Sequence, residues 1–135
     1  MSVRLPLLAV LAGLAAIPAV AQAPAFPKGA PIAITVSNDR FTPQRIVLRS
    51  GRPYTLNFRN VSDRAHSFSA RTFFKIARVN PADQNAVAEN KVELKPGQSA
   101  RVRIVAPSTP NAVYDFRSLQ IADAGENMKG TILVR

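Results

Sequence analysis

Cysteine and tryptophan are both absent from this chain of 135 residues. Without a thiol there is no disulfide framework, no iron–sulfur site, no thiolate zinc site and no thiol nucleophile. Histidine occurs once, at His66, so a single imidazole serves both metal binding and general-base work. Its neighbour Ser67 would point to the opposite face of a strand, and Asp63 stands in no Ser–His–Asp pattern with either. The 8 acidic residues are scattered, with no spacing that marks a glycosidase pair. No glycine loop of the phosphate-binding kind is present among the 6 glycines. The chain is expected not to be an enzyme.

Negative charge is scarce. Lys and Arg number 18, and the formal net charge is +10. The basic residues are spread along the chain and form no run with interleaved aromatics, which a nucleic-acid groove would favour, so no nucleic-acid partner is expected. Two readings of the charge stay open. One is a solvated basic surface. The other is attraction to an acidic protein partner or an anionic envelope surface.

Only one long apolar run exists, Leu5 to Val20, behind Arg4. It ends in Ala19-Val20-Ala21, a small-x-small cleavage pattern, so residues 1–21 read as a secretory signal peptide cut after Ala21. As an uncleaved anchor the run is short and contains Pro18. The expected location is periplasmic or secreted, with no integral membrane segment after cleavage. Residues 22–31 form a Pro-rich tether, and 32–135 form one folded domain.

That domain reads as short strands. Ile32-Ala-Ile-Thr-Val-Ser alternates, Ile46-Val47-Leu48 follows Phe41-Thr42-Pro43, and Gly51 marks a turn. Tyr54, Leu56 and Phe58 share one face of the next strand, and His66 opens a short strand through Ser69. Around residues 70–90 the pattern breaks. Phe73, Ile76 and Ala77 fit one face of a short helix that Pro81 ends, and a polar excursion follows. Strands resume at Lys91–Leu94 and Ala100–Val105, where Val102 and Ile104 face in and Arg101 and Arg103 face out. Tyr114, Phe116 and Ser118 alternate in a further strand, and a polar loop with Gly125 leads to the last, Lys129–Val134. Seven or eight strands with no βαβ rhythm make an all-β, Greek-key β-sandwich. Its expected core is Phe41, Ile46, Leu56, Phe58, Val102, Ile104, Tyr114, Phe116 and Ile132.

Several of these segments resemble the cupredoxin, or blue-copper, family. Its penultimate strand reads Tyr-x-Phe/Tyr-x-Cys, followed by a loop His, then Met-x-Gly and the final strand. Here Tyr114-x-Phe116-x-Ser118 and Met128-Lys129-Gly130 fit that frame. Phe41-x-Pro43, a β-branched strand, Gly51, then Leu56-x-Phe58-x-Asn60 matches the family's usual beginning, and His66 stands where its first histidine ligand stands. Serine holds the cysteine position, and the common Cys-x4-His-x4-Met spacing puts Asp123 at the loop-histidine position. Another register would put Ile121 there.

The resemblance therefore implies a degenerate copper site. A blue-copper site needs a thiolate and two imidazoles with a weak axial thioether. Ser118 offers a protonated, hard hydroxyl instead. Only His66 and Met128 carry over as ligands, and Asp123 is a donor in its own right. No cofactor is expected, with low-affinity copper at His66, Met128 and Asp123 as the alternative. Ordinary structural roles compete: a strand-end histidine bonded to backbone, a methionine plugging the sandwich, and an aspartate capping its loop. A non-catalytic binding or accessory module and a loose copper carrier are the two functions left open.

Overall fold

The computed structural model describes residues 25–135 continuously, together with residues 2, 9–10 and 12–16. The expected cleavage site at Ala21 lies outside the described residues. Among those residues, no helix is long and apolar enough to cross a membrane.

Among the described residues, ten strands form two five-stranded sheets. They are β1 (Ala30–Val36), β2 (Phe41–Thr42), β3 (Arg45–Leu48), β4 (Pro53–Asn60), β5 (His66–Ser69), β6 (Arg78–Val79), β7 (Lys91–Leu94), β8 (Ser99–Val105), β9 (Ala112–Arg117) and β10 (Lys129–Val134). One sheet runs β2-β1-β4-β8-β6 and the other β3-β10-β9-β5-β7. From β3 to β9 each strand lies in the opposite sheet from the one before it, the connectivity of a Greek-key sandwich. The pairs β1–β4 and β3–β10 are parallel and the others antiparallel. Strands exceed the expected seven or eight because β2 and β6 are two-residue edge pieces. β1 begins at Ala30, inside the stretch read as a tether.

Period-2 alternation explains which side chains fill the space between the sheets. Ile34, Leu56, Phe58, Val102 and Ile104 point in from one sheet, and Ile46, Phe68, Leu94, Tyr114, Phe116 and Ile132 from the other. Every residue expected in the core is buried. At its centre Phe68 stacks on Phe116 at 4.5 Å and meets Phe58 at 4.9 Å and Phe41 at 5.6 Å.

The segment around residues 70–90 is a short helix, α1 (Arg71–Ile76), then β6 and a 3-10 turn at Pro81–Ala86. One expectation is corrected here. Phe73 and Phe74 are the inward pair, and Ile76 faces solvent. The helix lasts only six residues before Ala77 returns to extended backbone (φ −62°, ψ 142°), so it has no second turn on which to build a stripe.

Gly130 is required by packing. A Cβ there would collide with the carbonyl of Gln44 and the ring of Phe116. The last strand can therefore lie against β3 and over Phe116 only if this position is bare.

Candidate metal centre

β5 and β9 pair only at Ser69↔Arg117 and then part. In the gap, hydroxyls replace the ladder. Ser67 N–H donates to Ser118 Oγ at 3.2 Å, and Leu119 N–H donates to Ser67 Oγ at 2.8 Å. Both serines thereby satisfy backbone donors that the separated strands would leave unpaired. The loop beyond Ser118 folds back through a 3-10 turn at Ile121–Asp123, and Met128 O accepts from Ser118 N–H at 2.9 Å as β10 begins.

This path carries Asp123 inward. Its carboxylate Oδ2 lies 2.7 Å from Nδ1 of His66 and 2.5 Å from Oγ of Ser118. His66 is 0% exposed and Asp123 3%. The imidazole Nδ1–H and the serine O–H both donate to one carboxylate oxygen, so Oδ2 is the point on which the two side chains converge. Asp123 Oδ1 is buried and has no hydrogen-bond partner; Arg64 Nη2 stands 3.8 Å away.

His66 is positioned from both sides. Behind it, Asn60 at the end of β4 donates to the carbonyls of Arg64, Leu94 and Lys95, at 2.8, 3.1 and 3.1 Å. Asn60 Oδ1 accepts from Ser62 N–H and O–H. The loop before β5 is thus tied to the end of β7. On the other side, Asn38 Oδ1 faces His66 Nε2 at 3.2 Å. That amide is oriented by Arg64 Nε donating to its oxygen and by its Nδ2 donating to Asp63. Side-chain oxygens therefore face both ring nitrogens.

The structure brings His66, Asp123 and Ser118 into contact, and Ser118, Asp123 and Met128 line one cavity of about 500 Å³. Met128 itself is 2% exposed. Ile121 is 94% exposed and points away, so Asp123 is the loop residue that meets His66. The competing structural roles are revised. The ring nitrogens of His66 bond side chains rather than backbone, and the Asp123 carboxylate bonds His66 and Ser118 rather than capping its loop. Ser67, expected on the face opposite His66, is buried as well and ties β5 to the loop. Asn38 and Arg64 belong to the cluster although no spacing in the sequence links them to it.

The order of the three groups matters chemically. In a serine nucleophile the imidazole stands between hydroxyl and carboxylate, ready to take the hydroxyl proton. Here the carboxylate stands between hydroxyl and imidazole. Ser118 donates to the carboxylate and not to the imidazole, which has no contact through which to activate it.

Two mixed sheets with parallel β1–β4 and β3–β10 pairs, and a histidine, a serine and a methionine around the loop between the last two strands, define a cupredoxin-type sandwich. The profile of the cupredoxin-like domain matches residues 7–134, and the chain belongs to that family. Its structure is similar to reduced auracyanin from the photosynthetic bacterium Roseiflexus castenholzii, at TM-score 0.57 and 18% identity, covering 80% of this chain and 99% of that one. It is also similar to auracyanin B, at TM-score 0.55 and 19% identity, covering 82% and 93%. A multicopper oxidase from Campylobacter jejuni aligns at TM-score 0.59 and 11% identity, over 85% of this chain and 31% of the oxidase. No curated protein sequence matches the chain. At these identities the structural likeness speaks for the fold alone.

The donor set does not fit the copper centre of that fold. The groups that meet are an imidazole, a carboxylate and a hydroxyl, with no thiolate in the chain. Oδ2 already accepts two hydrogen bonds, and the Nδ1 direction is filled by that oxygen. Among the described residues no group of three or more His, Cys, Asp or Glu is arranged to hold a metal ion.

Proposed function

We propose that the protein is a secreted, non-catalytic cupredoxin-fold module in which a hydrogen-bonded cluster has taken over the place of the metal. It works by binding, as an accessory component of the cell envelope. The observation that carries this reading is the double acceptance by Asp123 Oδ2, from His66 Nδ1 and from Ser118 Oγ. A carboxylate at that point ties β5 to the loop before β10, the connection that a shared metal ion would otherwise make. The carboxylate's position between hydroxyl and imidazole supports the non-catalytic part.

One observation favours a second reading. Asp123 Oδ1 is buried without a hydrogen bond, so a donor oxygen is spare beside the only imidazole. Loose copper carriage by His66 with Asp123, and Met128 beyond, would use it. Titration of the purified chain with Cu(II), beside a His66→Ala variant, separates the two. The module reading expects wild type and variant to take up copper equally weakly. Saturable binding that His66→Ala abolishes would transfer the assignment to the carrier. Secretion is checked on its own by the mass of protein from the envelope fraction, expected to begin at Gln22; an intact Met1 in a membrane pellet would contradict it.

A further inference from the structure

The end of the sandwich opposite His66 carries a different chemistry. β3 runs parallel to β10, from Arg45 beside Thr131 to Leu48 beside Val134. Arg49 and Arg135 therefore leave the sheet together, at the end away from Lys129 and the Asp123 loop. With Ser50, Arg52, Val47 and Tyr54 they line a cavity of about 550 Å³. Lys28 stands in the adjoining depression, which shares Arg49, Arg52 and Tyr54.

The charged side chains lining this end are all basic. No acidic residue lines either depression. Among the described residues Arg49, Arg52 and Arg135 form no ion pair, whereas Arg40, Arg64, Arg103 and Lys91 each face a carboxylate. Tyr54 Oη accepts from Arg49 N–H at 2.8 Å, which leaves its own O–H to donate. The platform beneath is fixed. Ser50 N–H donates to Arg135 O, Arg135 N–H to Leu48 O, Gly51 N–H to Pro107 O and Ala106 N–H to Arg52 O, at 2.7 to 3.2 Å. Gly51, at φ +69°, makes the turn that sets Arg49 and Arg52 on either side of it.

We infer that this end is a binding site for a phosphate-class oxoanion. Guanidinium forks match the several acceptor oxygens of such a group, and three of them line a single cavity with a phenol and a serine hydroxyl, so several donors converge there. The site is independent of the copper question, since none of its residues touches the His66 cluster. The same chemistry is offered by a free phosphate and by an anionic lipid headgroup.

The test is an NMR titration of the purified chain with inorganic phosphate, against chloride at matched ionic strength. Saturable shifts are expected for the amides of Arg49, Ser50, Gly51, Arg52, Tyr54 and Arg135. The variant Arg49→Gln/Arg52→Gln/Arg135→Gln should lose about tenfold or more in affinity, as removal of charge-assisted hydrogen bonds implies. A control, Arg59→Gln/Arg101→Gln/Arg117→Gln, removes the same charge from exposed positions elsewhere and should bind as wild type does. The single Arg52→Gln change should weaken binding in a chain whose melting temperature is unchanged. A second arm uses phosphatidylcholine vesicles containing phosphatidylglycerol. Vesicle binding that the triple variant loses identifies a headgroup as the source; phosphate binding without vesicle binding identifies a free anion. Loss of binding in the control equal to that in the triple variant, or no response to either probe, would overturn the inference.

Discussion

Asp123 Oδ2 and His66 Nδ1, 57 residues apart in the chain, lie 2.7 Å from each other in the interior. The same oxygen accepts a second hydrogen bond, from the Ser118 hydroxyl. A buried carboxylate is costly unless paired and hydrogen-bonded. Here its partners are His66 and Ser118, the residues that the resemblance sets at the family's ligand positions, and Arg64 lends charge from the rim. Folding stability that a copper ion would contribute elsewhere is on this account supplied by the cluster and by the core beneath it.

The core gives the first prediction. Phe68 is fully buried and its ring meets those of Phe41, Phe58, Phe74 and Phe116. Phe68→Ala should cost about 3–5 kcal/mol, a large share of the usual stability of a domain. Urea unfolding followed by circular dichroism should show the midpoint falling sharply or the variant failing to accumulate. A loss below ~1 kcal/mol would mean that the aromatic cluster is not the centre of the core.

A second concerns acid. Asp83 accepts from Arg103 Nε at 2.8 Å, from its Nη2 at 2.9 Å and from its backbone N–H at 2.9 Å. The Arg103 hydrogen bonds hold the Asp83 carboxyl below its ordinary value against the opposing effect of burial. A carboxyl depressed in the folded state stabilises fully above its unfolded pKa of about 3.9, and that contribution disappears as pH falls through the lower folded value. Asp83→Asn should cost about 1–3 kcal/mol at neutral pH, towards the lower figure because the guanidinium is partly solvated. Denaturation of both chains at neutral and at strongly acid pH should show the gap closing in acid. A gap of constant size would remove the ion pair as its cause.

A third rebuilds what is missing. Ser118→Cys with Asp123→His supplies the thiolate and the second imidazole, and frees Nδ1 of His66 at the same time. Ser118 and Asp123 already converge on His66, with Met128 in the wall of the same cavity. The double variant should turn intensely coloured with Cu(II), in a hue that the surrounding hydrogen bonds tune. A folded variant that binds copper without a thiolate band would show that these positions do not correspond to the family's ligands.

Much of this was legible in the sequence, for a physical reason. Alternation is a local property, so Leu56 and Phe58, Val102 and Ile104, and Tyr114 and Phe116 reveal their inward faces without knowledge of the fold. The family resemblance, through its Cys-x4-His-x4-Met pattern, pointed to Asp123, with Ile121 as the other register. What Asp123 bonds was not legible, because a local reading offers it only its own loop, whereas its partner lies on another strand. Asn38 and Arg64 reach His66 through the topology alone. Phe68 gave no sign of its central position, which exists only once both sheets close over it. Ile76 was misjudged because periodicity does not tell how soon a helix ends.

The measurement that bears most directly on the central claim is the thermal melting curve of the protein as isolated, recorded with and without a strong chelator. If the cluster of His66, Asp123 and Ser118 closes this end of the sandwich by itself, the two curves will superimpose. A melting temperature that drops on chelation and is restored by added copper would contradict the account, because a bound metal would then be holding what the hydrogen bonds are said to hold.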